Sequence, residues 1–310
     1  MSFTAQNVKE LRELTGVGMM DCKKALTETG GDMQKAIDYL RERGLAAAQK
    51  KAGRITAEGM AYADCLNGVG VVVEVNAETD FVAKNDMFVG FVKGVLETVA
   101  TQNPADVEAL MAAKYPNSAK TVAEELQEMI LVIGENISVR RFKRYADGIS
   151  IPYVHAGGKI GVIVNLDVSG ISDMNAVTEL GKDVAMQIAA MHPTYLDSKS
   201  VDSAELEKEK EIQFAKAMEE NKAKNLPEDK SRQIAENMVK GRINKFYEEI
   251  CLLNQPYVKE NKLTVEQHVK NVAKELGGEI TINAFTRFEK GEGIEKKEDD
   301  FAAEVAKMVQ

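Results

Sequence analysis

Two stretches, "TVAEELQEMILVIGENISVRRFKRYADG" (Thr121–Gly148) and "TVEQHVKNVAKELGGEITINAFTRFEKG" (Thr264–Gly291), align without a gap. Thr, Val, Gly, Ile, Phe, Arg and Gly recur at matching places. Val122, Leu126, Met129 and Ile133 match Val265, Val269, Val272 and Leu276, a helical spacing. After Gly134 or Gly277 the apolar period changes to two, which predicts a strand, "ISVRRF" or "ITINAF". Each stretch therefore reads as helix, stop and strand, and the chain carries an internal duplication.

The duplication extends towards the N-terminus. "VGVVVEVN" (Val69–Asn76) is similar to "IGVIVNLD" (Ile160–Asp167). Each follows a strand-like run and a Gly-containing turn, "AYADCLNG" (Ala61–Gly68) and "IPYVHAGG" (Ile151–Gly158), so hairpins are expected. A helix follows each hairpin. One carries Phe88, Val92, Leu96 and Val99, the other Val177, Val184, Ile188 and Met191, and they stop near Pro104 and Pro193. Each half reads as hairpin, helix, helix, strand, which buries its apolar surfaces as an antiparallel three-stranded sheet with helices on one face. The fold class is α+β, with core subdomains over residues 55–148 and 149–291.

The copies differ in two places. The segment between the shared helices is Pro104–Lys120 in the first and the much longer Pro193–Leu263 in the second. Within the latter, Ser203–Phe246 reads as two charged helices broken near Pro227, a helical hairpin insert over about 197–248. It is either a solvated arm or a contact for a partner or second copy. The first copy alone carries "AETDFVAKN" (Ala77–Asn85) after its hairpin, where the second has the blander "VSGISDMN" (Val168–Asn175).

Ahead of the duplication, residues 1–54 read as a small helical domain and linker. Thr4 can cap a helix with Val8, Leu11 and Leu14 inward, and "TGVGMMD" (Thr15–Asp21) breaks it. A second helix turns Cys22, Ala25, Leu26 and Thr29 to one face; Asp32 caps a third with Met33, Ala36, Ile37 and Leu40. "GLAAAQKKAGR" (Gly44–Arg54) reads as a helix tail or linker. Met19 and Met20 either both fill this small core or leave at least one exposed for docking.

Composition bounds the function. The 310 residues, 44% apolar and 29% charged, suit a soluble chain with more than one folding unit. No run approaches the roughly 18 apolar residues of a membrane span, and "MSFTAQNVKELREL" does not read as a secretory signal. A net charge of −9 argues against a nucleic-acid scaffold, although a local basic patch stays open. Three scattered cysteines form neither a disulfide framework nor a metal spacing and fit a reducing, cytoplasmic setting. There is no Walker loop, Rossmann fingerprint, HExxH or nucleophile elbow. His155, in "YVHAGGKIG", is a lone loop histidine. No catalytic residue, metal or cofactor is expected, and the chain does not read as an enzyme.

The "TDF" of the first copy leaves two readings. Phe81, Phe88, Val92, Val95 and Val99 fall on one helical face, which favours core packing, with Thr79 or Asp80 as the cap. Against that, Asn85 interrupts the face one turn after Phe81, and the linker is longer than its counterpart.

"LRELTGVGMMDCKKAL" (Leu11–Leu26), "ETDFVAKN" (Glu78–Asn85), "GENISVRRF" (Gly134–Phe142), "HAGGKIGVIV" (His155–Val164) and "FEKGEGIEKKEDDFAAEV" (Phe288–Val305) occur in this order. With them the chain resembles the bacterial elongation factor Ts family over nearly its whole length. The resemblance implies a ubiquitin-associated-like N-terminal three-helix domain, the two core subdomains and a C-terminal helical module over 292–310. It implies a nucleotide exchange factor for elongation factor Tu, with no direct contact to nucleic acid or membrane. The motif matched by Thr79, Asp80, Phe81 and Val82 would push into the GTPase near its magnesium and phosphate site, Phe81 as apolar wedge and Asp80 as its polar neighbour. Arg12, Met19, Met20 and Lys23 fall in the head's docking motif, and His155 at a contact with the GTPase's last domain. Phe301, Val305 and Met308 match a C-terminal docking helix. Asn85 stands where other members often have Asp. The insert matches a variable arm that dimerises in some members, so a homodimer through it is an option here. The rival reading is a helical binding module fused to a metabolic enzyme.

Overall fold

Thr4 accepts the backbone N–H of Asn7, and the Asn7 side chain returns the bond to the Thr4 N–H. This reciprocal cap starts helix α1 (Ala5–Thr15). Helices α2 (Met19–Glu28) and α3 (Met33–Lys51) follow, the latter capped by Asp32. Val8, Leu11, Cys22, Leu26, Ala36 and Leu40 form the core of this head. Leu14 does not join it and is 69% exposed; Val17, in the following turn, closes that end instead. Gly44–Lys51 continues α3 as helix rather than linker. The computed structural model describes residues 3–222 and 227–295.

Strands β1 (Glu58–Leu66) and β2 (Val69–Ala77) pair antiparallel about Asn67-Gly68. Both turn residues have positive φ, 52° and 82°, which suits a two-residue hairpin to the strand twist. A four-residue helix α4 (Asp80–Ala83) and a long helix α5 (Asp86–Gln102) follow. Phe88, Phe91, Val92, Val95, Leu96 and Val99 of α5 are buried with Val71, Val73 and Val75 of the sheet. A short helix α6 (Val107–Ala112) leads to α7 (Val122–Ile133), capped reciprocally by Thr121 and Glu124. Gly134, left-handed at φ 86°, ends α7, and β3 (Ile137–Tyr145) completes a sheet of order β1-β2-β3.

The second copy repeats the plan. Strands β4 (Ile149–His155) and β5 (Ile160–Ser169) form its hairpin, and helix α8 (Met174–Met191) follows. Helices α5 and α8 end alike: Asn103 and His192 take left-handed φ of 48° and 49° directly before Pro104 and Pro193. Val177, Val184 and Ile188 are buried, whereas Met191, on the last turn of α8, is 44% exposed. The insert forms α9 (Ser203–Lys222) and α10 (Glu228–Ile250). A small ribbon of β6 (Pro256–Tyr257) and β7 (Glu260–Thr264), not visible as a pattern in the sequence, precedes α11 (Val265–Glu275). Thr264 and Gln267 cap α11 just as Thr121 and Glu124 cap α7. Strand β8 (Glu279–Glu289) closes a sheet of order β4-β5-β8, the same order as in the first copy. The fold is α+β, with two antiparallel three-stranded sheets and an N-terminal helical region.

The chain divides into two compact units. The first comprises the described residues of Met1–Arg144, Val154–Gly161 and Phe288–Gln310. It contains a fully buried carboxylate, Glu74, which accepts from Arg140, Arg141, the Asn76 side chain and the Gly291 N–H. Two arginines and two neutral donors thus pair a carboxylate that is cut off from water. The second unit comprises Tyr145–Tyr153 and Val162–Arg287. No helix among the described residues is long and apolar enough to cross a membrane.

Candidate functional site

The segment after β2 leaves the sheet as a tight turn. Thr79 is extended, with φ −125° and ψ 158°, and its hydroxyl accepts the Val82 N–H, so it caps α4. Helix α4 lasts four residues. Lys84 ends it, and Asn85 opens α5 by accepting the Met87 N–H at 2.9 Å.

That second cap decides where Phe81 points. A helical face can be counted only along one continuous helix. The break at Asn85 resets the phase, so Phe81 does not share the face of Phe88, Val92, Val95 and Val99. Those four are buried, and Phe81 is 80% exposed, which overturns the core-packing reading. Val82 and Ala83 are buried and hold the turn to the sheet from below. Asp80 is paired with Lys84 at 2.9 Å on the surface. An exposed pair of this spacing contributes about 0.3–0.5 kcal/mol, so it tidies the turn rather than holding it.

The residues that hold the turn were missed in the sequence. The Thr79 N–H donates to Glu135 Oε2 at 3.0 Å, and its hydroxyl donates to Glu135 Oε1 at 2.8 Å. Glu135 directly follows the left-handed Gly134 that ends α7. Arg54 lies 3.3 Å from Glu78. Burial pushes the nearby Lys51 ammonium below its ordinary value and Arg54 adds to this, while Glu78 and Glu135 oppose it. A signal was present: Glu135 aligns with Gly278 in the other copy, the same one-sided difference that marks the "TDF" motif.

The remaining sequence-selected residues are spread over other elements. In the head, Met19 and Met20 are 45% and 74% exposed, so neither fills the core. Gly18, with no side-chain cap, starts α2 directly at these two residues. Arg12 on α1 and Lys23 on α2 are also exposed. His155 ends β4 at the hairpin tip, exposed, its carbonyl accepting the Gly158 N–H at 3.2 Å. Phe301, Val305 and Met308 lie outside the described residues.

Among the described residues no group of three or more His, Cys, Asp or Glu is placed to hold a metal ion. What the turn presents is shape: one apolar ring projected from an anchored backbone. Fully burying a phenylalanine side chain contributes about 1.5–3 kcal/mol, and that free energy is unused while the ring stands in water.

A family model described as "Elongation factor TS" matches residues 78–292, more than half of the chain. Proteins named "Elongation factor Ts" match along its full length. The one from Clostridium perfringens (strain SM101 / Type A) is 52% identical over 310 residues, covering 99% of each chain. That of Magnetococcus marinus is 48% identical over 312 residues, covering 100% of each. That of Trichlorobacter lovleyi is 51% identical over 313 residues, covering 99% of this chain and 98% of the relative.

Proposed function

The chain belongs to the elongation factor Ts family, and from that premise we propose that it is the guanine nucleotide exchange factor of elongation factor Tu, acting in the cytoplasm. The observation that carries this reading is Phe81, 80% exposed on a turn whose start is bonded to Glu135 and whose Val82 and Ala83 are buried. The ring, with Asp80 beside it on the surface, enters the GTPase beside its magnesium and phosphate site, while Thr79 caps the turn and the buried Val82 anchors it rather than facing the partner. Arg12, Met19, Met20 and Lys23 dock the head, and His155 meets a second domain of the partner. We assign residues 1–54 to the docking head, 55–148 and 149–291 to the two core subdomains, and 292–310 to a C-terminal module.

The mechanism is thermodynamic linkage. GDP with its magnesium stabilises one arrangement of the GTPase, and the exchange factor binds another. Each ligand therefore weakens the other by the same factor. A ring that displaces the magnesium leaves the phosphates less neutralised, and GDP departs faster. No covalent bond is made or broken, and an excess of GTP over GDP sets the direction.

The test is stopped-flow release of a fluorescent GDP from elongation factor Tu. Wild-type protein is expected to accelerate release at micromolar concentrations; no acceleration sinks the reading. Phe81→Ala removes about 1.5–3 kcal/mol of interfacial burial, so stimulation is expected to fall roughly 10- to 150-fold. Its unfolding midpoint is expected to stay near wild type, because an exposed side chain contributes little to the folded state. If Phe81→Ala unfolds the first unit but leaves stimulation per folded molecule intact, the ring is structural and the wedge is wrong.

A further inference from the structure

Glu135 and Glu78 sit at the ends of two crossing segments, and each accepts from the backbone of the other. Glu135 takes the Thr79 N–H at 3.0 Å and hydroxyl at 2.8 Å. Glu78 takes the Asn136 N–H at 2.6 Å. Arg54 closes the group, its guanidinium 3.3 Å from Glu78 and its carbonyl accepting from the Asn136 side chain at 2.9 Å. Asn136 is buried, so this is not a surface ornament.

The other copy solves the same junction differently. Gly278 stands in place of Glu135 and packs directly on the end of β5 and the residues after it: a Cβ there would meet the Ser169 carbonyl at 2.3 Å and the Gly170 backbone at 2.9 Å. Where the second copy closes the junction by backbone contact, the first spaces it with a carboxylate. The spaced copy is the one whose turn carries an exposed ring.

We propose that Glu135, with Glu78 as its counterpart, is a positioning clasp that holds the Thr79–Val82 turn in the geometry needed for exchange. The inference rests on the exchange reading above. A four-residue helix cannot hold itself, since forming the first turn is unfavourable and propagation has nothing to add. Its own cap, from Thr79 to Val82, is long at 3.4 Å. The external carboxylate therefore fixes the start of the turn. The ring engages the partner as GDP and magnesium leave, so a frayed turn incurs its ordering cost in that step, which lowers the saturating rate more than it raises the half-saturating concentration.

Two variants separate positioning from mere stability. Glu135→Ala deletes both bonds to Thr79. Glu135→Gln keeps the reach: its amide oxygen accepts the Thr79 N–H and its amide nitrogen donates to the Thr79 hydroxyl oxygen. In the full-length free protein, amide hydrogen exchange at Thr79 and Val82 is expected to rise about tenfold or more in Glu135→Ala, with β2 and α7 amides unchanged. The saturating GDP-release rate on elongation factor Tu is expected to fall roughly tenfold, the half-saturating concentration moving less than about threefold. Glu135→Gln is expected to recover most of both. Wild-type exchange at Thr79 and Val82 in Glu135→Ala overturns the clasp. So does a wild-type saturating rate in that variant. If the wild-type chain itself fails to accelerate release, the exchange reading falls and takes the clasp's role with it, an outcome distinct from the other two.

Discussion

His268 stacks on the buried Tyr257 with ring centroids 4.0 Å apart. Tyr257 donates its hydroxyl to Asp183 at 3.0 Å, and Lys259 reaches the other oxygen of the same carboxylate at 2.6 Å. Burial lowers the His268 pKa below its ordinary value; Lys259 adds to this, and Asp183, Glu260 and Glu275 oppose it. The unfolded chain therefore binds this proton more readily than the folded one. Stability is complete above the unfolded pKa of about 6.5 and is lost as pH falls from there through the lower folded pKa. The urea midpoint of the second unit is expected to drop between about pH 7.5 and about pH 5.5, above the range where ordinary carboxylates protonate. His268→Phe keeps an aromatic stack and removes the proton site, so its midpoint is expected to change less over that window. An equal drop in the variant would show that another group titrates.

Helix α7 contacts both the head and the segment that holds the Phe81 turn. Its N-terminal turn meets the head through Glu124 and Arg41, 2.6 Å apart, and Leu131 and Val132 pack on the head's core. Directly past its C-terminus, Glu135 holds the Phe81 turn. The α3–α7 contact is close at Gly44, where an added Cβ would sit 3.4 Å from the Gln127 carbonyl oxygen. That is ordinary contact, so Gly44→Ala fits and gains helix propensity. Thermal unfolding is expected to show a change of at most about 1 kcal/mol, in the stabilising direction. Gly44→Leu must move the backbones apart; a cost of about 1–3 kcal/mol and weakened head docking are expected. If both variants behave alike, the two helices are not closely packed there. Elements of this kind were legible because their signals are local. The helical spacing after Thr121 and Thr264 and the glycine stops at Gly134 and Gly277 each act within a few residues, and the duplication shows them twice. The orientation of Phe81 was not legible from periodicity, because a single cap at Asn85 resets the helical phase. Glu135 was missed because it bonds Thr79 across 56 positions, and no periodicity spans that separation. The family resemblance marked the ring as partner-facing; it did not indicate what holds the turn.

Beyond two similar cores the chain carries additions, and the proposed exchange need not use all of them. The arm is the largest addition. Helices α9 and α10 pack through small or compact residues, Ala217, Asn221, Ser231 and Ala235, with the Asn221 side chain donating to the Ser231 carbonyl at 3.0 Å. Arg242 pairs with Glu220 at 2.7 Å, and Arg232 lies over the Phe214 ring at 6.0 Å. These contacts are internal to the hairpin. Its root is fastened separately: the Thr194 and Tyr195 N–H groups both donate to the Ile250 carbonyl at 2.9 Å, and Tyr195 donates its hydroxyl to Glu205 at 2.5 Å. An element whose distal bonds are self-contained can be shortened without exposing the core behind it. Replacing residues 214–238 by two glycines is therefore expected to reduce the helical circular-dichroism signal in proportion to the residues removed. The urea midpoint of the remaining chain is expected to stay near wild type, as is stimulated GDP release, because the ring at Phe81 and the clasp at Glu135 belong to the first unit. A shortened chain that folds but no longer stimulates release would place a partner contact on the arm itself. A shortened chain that fails to fold would show that the distal hairpin supports the second unit, against the separation of bonds described here.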